Sequence, residues 1–393
     1  MTRVNITALL LDMYVALNFL QPDWKEKTVQ QMADFAATHR EQLDRCTREL
    51  EFPRDLYREM GDQGWVGAVA PRAYGGAGGS VPEYCLIEEE VGRWGLVSPQ
   101  ISIQGQLWLL GWGSESQKER YLPGMASGKI IFCEAISEPG VGSSLKLMQT
   151  SAKRAAGGWV LDGRKTHVNL GTEADLMIVY AMAEEGLTSF LVDTETKGVT
   201  RRQTNPIGLR LIPTADIELQ GVEVSDEALL GGPGEGLKTF LSTFNVSRLG
   251  NASELIGFGR RAITEATTYA RERQVDDAHK VTDFQGIQWT LADAYAKLYA
   301  ASLARDRAAN LAAAEEEHAL ATTLAKKLAI DAAEYAVNES FALTGGYGLY
   351  EETPFQQILA DMKVLRVAGG SLEILRNYIA RRVLKSEDLE GLM

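Results

Sequence analysis

Apolar residues recur at helical spacing over the first 128 positions and again from 237 to the end, while between these blocks the period falls to short, strand-like runs. The spacing predicts helices over 24–48, with Val29, Met32, Phe35 and Ala36 on one face, and over 53–60, 82–95 and 99–127. The last of these is interrupted at Gly111 and Gly113. Strands are expected at Trp159–Leu161, His167–Leu170, Leu176–Tyr180, Ser189–Val192, Val199–Arg202 and Asp216–Leu219, where β-branched and aromatic residues alternate between Gly and Pro clusters. Helices then resume over 237–274, 283–313, 317–344, 354–365 and 371–386, broken at Gly345–Gly348. Short connections make antiparallel bundle packing the default. The fold class that follows is mainly α with a central β domain. It comprises an N-terminal helical domain (1–128), a middle β sandwich or barrel (129–236) and a C-terminal helical bundle (237–393).

Composition narrows the function. The 393 residues carry a formal net charge of −13, which argues against nucleic acid as a partner, since a phosphate backbone requires a basic footprint. Three cysteines (Cys46, Cys85, Cys133) have neither disulfide-framework nor metal-site spacing, so no metal is expected and a reducing cytoplasm fits. The Met1–Leu20 stretch holds Asp12 and Asn18 and lacks a charged leader before a continuous apolar run. It reads as a docking arm and not as a membrane span or signal peptide.

The stretch from Ile131 to Gly171 joins the helical blocks and holds a small-residue loop, Pro139-Gly140-Val141-Gly142-Ser143-Ser144, where backbone can approach a ligand closely. A β unit set between helical blocks favours a large ligand at the seam. Other motifs are Pro71-Arg72-Ala73-Tyr74-Gly75-Gly76, Gly163-Arg164-Lys165, Gly208-Leu209-Arg210, Leu230-Gly231-Gly232-Pro233-Gly234-Glu235-Gly236 and Arg271-Glu272-Arg273. Further on come Phe284-Gln285, Leu343-Thr344-Gly345-Gly346-Tyr347-Gly348, Asp361-Met362-Lys363 and Gly370-Ser371-Leu372-Glu373-Ile374. In this order and spacing, over about residues 25–386, the chain resembles the acyl-CoA dehydrogenase superfamily of flavoproteins.

The resemblance implies FAD as cofactor and a homodimer or homotetramer, or a hetero-oligomer. It places Ala135 and Ser137 at the flavin pyrimidine edge and His167 and Asn169 beside the flavin. Arg273 and Gln285 fall on the pyrophosphate side, and Gly345 and Gly346 approach the FAD of a neighbouring subunit, with Ser371 and Glu373 near the same FAD. Ser143, Asn245, Arg248 and Gly370 are the implied substrate contacts. The family's usual aromatic in Lys-x-Trp is His167 here, and its aromatic-Gly step after Arg273 is replaced by Gln274-Val275-Asp276-Asp277.

Desaturating an acyl thioester requires a base for the Cα proton, and the family's glutamate occupies one of two positions. Here these hold Gly369 and Ser247. Serine is no base without a partner that lowers its pKa. Glu254 lies seven residues beyond Ser247 on the same helical face, about 10 Å along the axis, and is the substitute candidate. Its alternative role is pairing with Arg260 or Arg261. Gly369 and Gly370 retain backbone N–H groups to polarise a thioester carbonyl. Three functions follow: a flavoenzyme acting on an unusual acyl thioester of CoA or a carrier protein, in a biosynthetic setting; a catalytically silent subunit of a hetero-oligomer; and a flavin monooxygenase of the same fold.

Overall fold

The structure, a computed structural model, describes residues 22–386. The arm expected over 1–20 lies outside the described residues. Helices α1 (Pro22–Thr38) and α2 (Arg40–Glu49) occupy the stretch expected as one helix. The break falls at His39, which leaves helical geometry and caps α2. Helices α3 (Arg54–Asp62), α4 (Val81–Trp94), α5 (Gln100–Trp112) and α6 (Glu115–Ala126) complete the first block. The interruption expected at Gly111–Gly113 is the α5–α6 boundary. Ser114 caps α6 there, exchanging hydrogen bonds with Gln117.

Seven strands follow: β1 (Phe132–Ala135), β2 (Ser151–Ala155), β3 (Gly158–Asn169), β4 (Leu176–Ala183), β5 (Gly186–Asp193), β6 (Val199–Gln203) and β7 (Thr214–Ser225). They form one half-barrel sheet in the order β1-β4-β2-β3-β7-β6, with β5 paired to β4. The β1–β4 pair is parallel and the β3–β7 pair antiparallel. Under this sheet Lys165 and Glu138 form a buried ion pair, Nζ to Oε1 2.9 Å. The carboxylate also accepts from the amides of Gln149 (2.6 Å) and Thr150 (2.9 Å).

The last block is a bundle of α7 (Gly236–Glu272), α8 (Gln285–Ala313), α9 (Ala319–Thr344), α10 (Phe355–Val367) and α11 (Leu372–Lys385). Helix α7 is its axis and also packs on α4 and α5 of the first block, so it is buried on every side from Ser247 to Gly259. Glycine makes this crossing possible. A Cβ on Gly257 would overlap the Glu89 carbonyl, and one on Gly92 the Glu254 carbonyl. Among the described residues, no helix is long and apolar enough to cross a membrane.

Candidate active site

A helix buried all round must satisfy its polar side chains internally. On α7 these are Thr239, Thr243, Ser247, Arg248, Asn251, Ser253 and Glu254. At the start of α5, the Gln100 amide donates to Ser247 Oγ (3.0 Å), to the Ser247 carbonyl (3.3 Å) and to Asn251 Oδ1 (3.0 Å). One turn on, Gln104 donates to Thr243 Oγ1 (3.2 Å).

These contacts lead to the loop joining α10 and α11. Gly369 and Gly370 there adopt φ +63° and +97°, a region that side-chain-bearing residues avoid. Three consecutive carbonyls of this loop are held by side chains. Asn251 Nδ2 donates to Ala368 at 3.5 Å and Arg248 Nε to Gly369 at 2.9 Å. Lys326 of α9 donates to Ala368 and, at 3.2 Å, to Gly370. The N–H groups of Gly369 and Gly370 have no acceptor among the described residues. Arg248 also donates to Asn245 Oδ1 at 3.4 Å and lies over the Phe244 ring, 4.4 Å from its centre.

The electrostatics here are cationic. Burial, and then the Arg248 charge, push Lys326 down to about 7. No carboxylate among the described residues forms an ion pair with either cation. Both family base positions are filled in another way: Ser247 is bound by Gln100, and a Cβ at Gly369 would stand 2.5 Å from Asn251 Nδ2 and 3.2 Å from Lys326 Nζ. Sequence reasoning missed Gln100, Asn251 and Lys326. The signal was present for Lys326, which falls on the apolar face of α9 between Thr322, Ala325, Ala329 and Ala333.

Glu254 is buried, on the α7 face that meets α4, and has no hydrogen bond among the described residues. The pairing with Arg260 or Arg261 does not form. Arg260 is held by Glu89 and Glu90, while Arg261 lies against Gly95. Burial raises the Glu254 carboxyl well above the usual range, and the Glu88 and Asp361 charges raise it further.

On the cofactor side, Ala135 ends β1 and the Ser137 carbonyl accepts from Thr166 N at 2.9 Å. His167 is exposed at φ +56° inside the bulge between Lys165 and Val168 on β3. A bulge re-aims side chains, and this one turns His167 out beside Asn169. The side chains of Ser137, Ser143, Asn169, Arg273 and Gln285 have no hydrogen-bond or ion-pair partner among the described residues, so the donor set an anionic dinucleotide needs is available. Arg273 and Gln285 are exposed where α7 gives way to α8. Gly345 and Gly346 are exposed with open space above them, and Tyr347 stacks on Tyr269, one turn before Arg273. Both glycines thus share an end of the bundle with Arg273. The two acids after Arg273 are accounted for in part: Asp276 closes its own turn, accepting from the amides of Ala278 (2.9 Å) and His279 (2.8 Å). Ser371 caps α11, whose first turn carries the exposed Glu373. No group of three or more metal-ligating side chains occurs among the described residues.

Helical block, half-barrel and helical bundle, with a glycine loop facing a buried arginine at their junction, define an acyl-CoA dehydrogenase-type architecture. The models of the acyl-CoA dehydrogenase N-terminal, middle and C-terminal domains match residues 23–129, 133–222 and 234–384. The chain is 32% identical to a 3-(aryl)acrylate reductase of Clostridium sporogenes, over 90% of this chain and 96% of that protein. It is 31% identical to an acyl-CoA dehydrogenase of Bacillus subtilis, over 85% and 90%. A glutaryl-CoA dehydrogenase from Mycobacterium smegmatis, solved with FADH2, superposes with a TM-score of 0.88 at 25% identity, covering 96% of this chain and 98% of that one. The chain belongs to the acyl-CoA dehydrogenase family, as a flavoenzyme acting on CH–CH bonds with FAD as cofactor.

Proposed function

We propose that this enzyme oxidises or reduces an acyl thioester, on CoA or a carrier protein, without a carboxylate base at position 247 or 369. The observation that carries this is the loop 368–370, whose carbonyls are all held by side chains while two N–H groups stay free. Those N–H groups, beside Arg248, would accept a thioester carbonyl and stabilise the negative charge its oxygen gains when Cα loses a proton. Lys326, fixed behind the loop, adds to that field and holds the donors in place. FAD, when bound, supplies the partner for hydride exchange at Cβ. Ser137, His167 and Asn169 would hold it along the β1–β3 edge, with Arg273 and Gln285 on its pyrophosphate. Gly345, Gly346, Ser371 and Glu373 would serve the same group in a neighbouring subunit. Ser143 and Asn245 would line the thioester arm. This cationic site raises the substrate's own Cα acidity, so that the proton passes to solvent water in place of the missing glutamate.

Exposed apolar side chains along α8, Trp289, Tyr295, Tyr299 and Leu303, support self-association into a dimer or tetramer. Three free cysteines, all buried, fit a cytoplasmic setting. Domain limits at 128/129 and 236/237 follow the changes of secondary structure. A second reading, a silent subunit of a hetero-oligomer, is favoured by the filled space at Gly369. The deciding experiment is an anaerobic visible spectrum of the purified protein titrated with acyl thioesters of CoA and pantetheine. Bleaching of bound flavin supports the enzyme. A protein that retains no flavin alone, and recovers it with a partner subunit, supports the silent one.

A further inference from the structure

The face of α7 between Ser247 and Glu254 meets α4 and α5 in a cluster of hydrogen-bond acceptors. Gln100 must turn its amide nitrogen towards Ser247, because the Ser247 carbonyl can only accept. That turns its Oε1 towards Gly250, 3.1 Å from where a Cβ would sit, with no partner among the described residues. The Tyr84 hydroxyl occupies the same notch, since a Cβ at Gly250 would overlap it, and it too has no hydrogen bond. Gln100 is 9% exposed and Tyr84 1%. Glu254 stands one turn beyond Gly250 on the same face of α7, and its charge reaches the Tyr84 phenol. Glu88, one turn after Tyr84 on α4, takes a hydrogen bond from Ser98 on Oε2 (2.9 Å), while its Oε1 is buried and unpartnered.

The cluster therefore offers two carboxyls, an amide oxygen and one phenol, and the cations nearby are already taken. Arg305 of α8 is held by Glu89 (2.7 Å), Asp306 (2.7 Å) and Ser253 (3.0 Å). Arg260 is held by Glu89 and Glu90, and Lys326 by loop carbonyls. Asp361 of α10, which also faces Glu254, adds a further negative charge. An uncharged alkyl chain would give these polar groups neither a hydrogen bond nor a counter-charge, whereas an ammonium brings three N–H donors and the charge that ionises a carboxyl.

We propose that the acyl group this enzyme takes carries a protonated amine, received by Glu254 and Glu88 with Gln100 Oε1 and the Tyr84 hydroxyl. The substrate class is an aminoacyl thioester, its thioester at Gly369–Gly370 and its nitrogen at the Gly250 notch of α7. This deepens the thioester reading above and rests on it. Burial holds Glu88 up at about 8, so it is protonated at neutral pH without ligand, and burial raises Glu254 in the same direction. Docking an ammonium ionises a carboxyl, and its proton leaves to solvent.

The test uses the FAD-loaded, full-length protein and two pantetheine thioethers, S-(5-aminopentyl) and S-hexyl, which carry the arm common to CoA and carrier proteins. Binding is read from flavin absorbance, and proton release from calorimetry in two buffers of different ionisation enthalpy at pH 7. The expected result is at least about tenfold tighter binding of the amine, with proton release that the hexyl probe lacks. Glu254→Gln and Glu88→Gln should each remove the preference and the proton release. Equal or tighter binding of the hexyl thioether by the unmutated protein overturns the inference and leaves the thioester reading standing. Binding of neither probe overturns the inference, while the thioester reading stands or falls on the anaerobic flavin titration above.

Discussion

Two buried lysines, one beneath the half-barrel and one in the bundle, show how differently the same group can be held. Lys165 is 1% exposed and meets the Glu138 carboxylate, itself fixed by two backbone amides. Lys326 is 0% exposed and meets only carbonyl dipoles, with Arg248 close enough to repel it. Burial pushes Lys165 down to about 8 and Lys326 to about 7. The first lysine is neutralised and closes a structure. The second has no carboxylate partner among the described residues and titrates near neutrality at the seam where substrate is expected, an arrangement that marks function more often than stability.

The contrast can be broken from either side, and the largest effect is expected at the paired lysine. Glu138→Gln leaves the Lys165 charge buried and unpaired, which should cost about 3–5 kcal/mol of unfolding free energy. Urea titration of the purified protein measures it, and a loss below about 1 kcal/mol would mean that the pair is already well solvated. At the other lysine, the contrast is removed by supplying a carboxylate. Ser247→Glu places a base beside Arg248 and should raise anaerobic flavin bleaching by a thioester about 10²–10⁴-fold. Gly369→Glu alone should not, because its backbone sits at positive φ and its Cβ meets Asn251. Equal gains from both variants would show that the loop is not filled as described.

A smaller effect is expected from Lys326→Met, which strips the Gly370 carbonyl of its donor and the Ala368 carbonyl of one of its two. A stability loss of about 1–3 kcal/mol is expected, less than for Glu138→Gln, together with weakened thioester binding. Intact binding would remove Lys326 from the site. A further effect lies in pH. Glu88 is raised by burial from 4.5 to about 8, so between those values the unfolded chain binds fewer protons than the folded one. Stability therefore falls as pH rises through that window. Glu88→Gln should remove that component, as urea midpoints between pH 5 and 8 would show. An unchanged slope would assign the pH dependence to other acids.

Most of the architecture was legible because each block has its own period. The long helices carry one apolar face over many turns, and the strands lie between Gly and Pro clusters. The misreadings were local. The 24–48 segment keeps helical spacing through His39, so periodicity ran across a break that backbone geometry imposes. The motif residues were equally legible, since Gly369, Gly370 and Arg248 sit in recognisable runs. What surrounds them was not. Gln100, Asn251 and Lys326 come from three helices and are more than seventy positions apart in the chain for each pair that crosses between helices. No spacing rule connects them.

The sequence by itself determined the class of fold, the family and the loss of the glutamate from both base positions, because these depend on residue identity and on order along the chain. Only the tertiary structure decided what replaces that glutamate. Packing α9 and the 368–370 loop against α7 fills the space at Gly369 with the Asn251 amide and Lys326, and packing α4 against Gly250 gathers unpaired polar groups near Glu254. Those outcomes depend on which side chains from distant segments share one desolvated volume, where an unmet donor, acceptor or charge costs most.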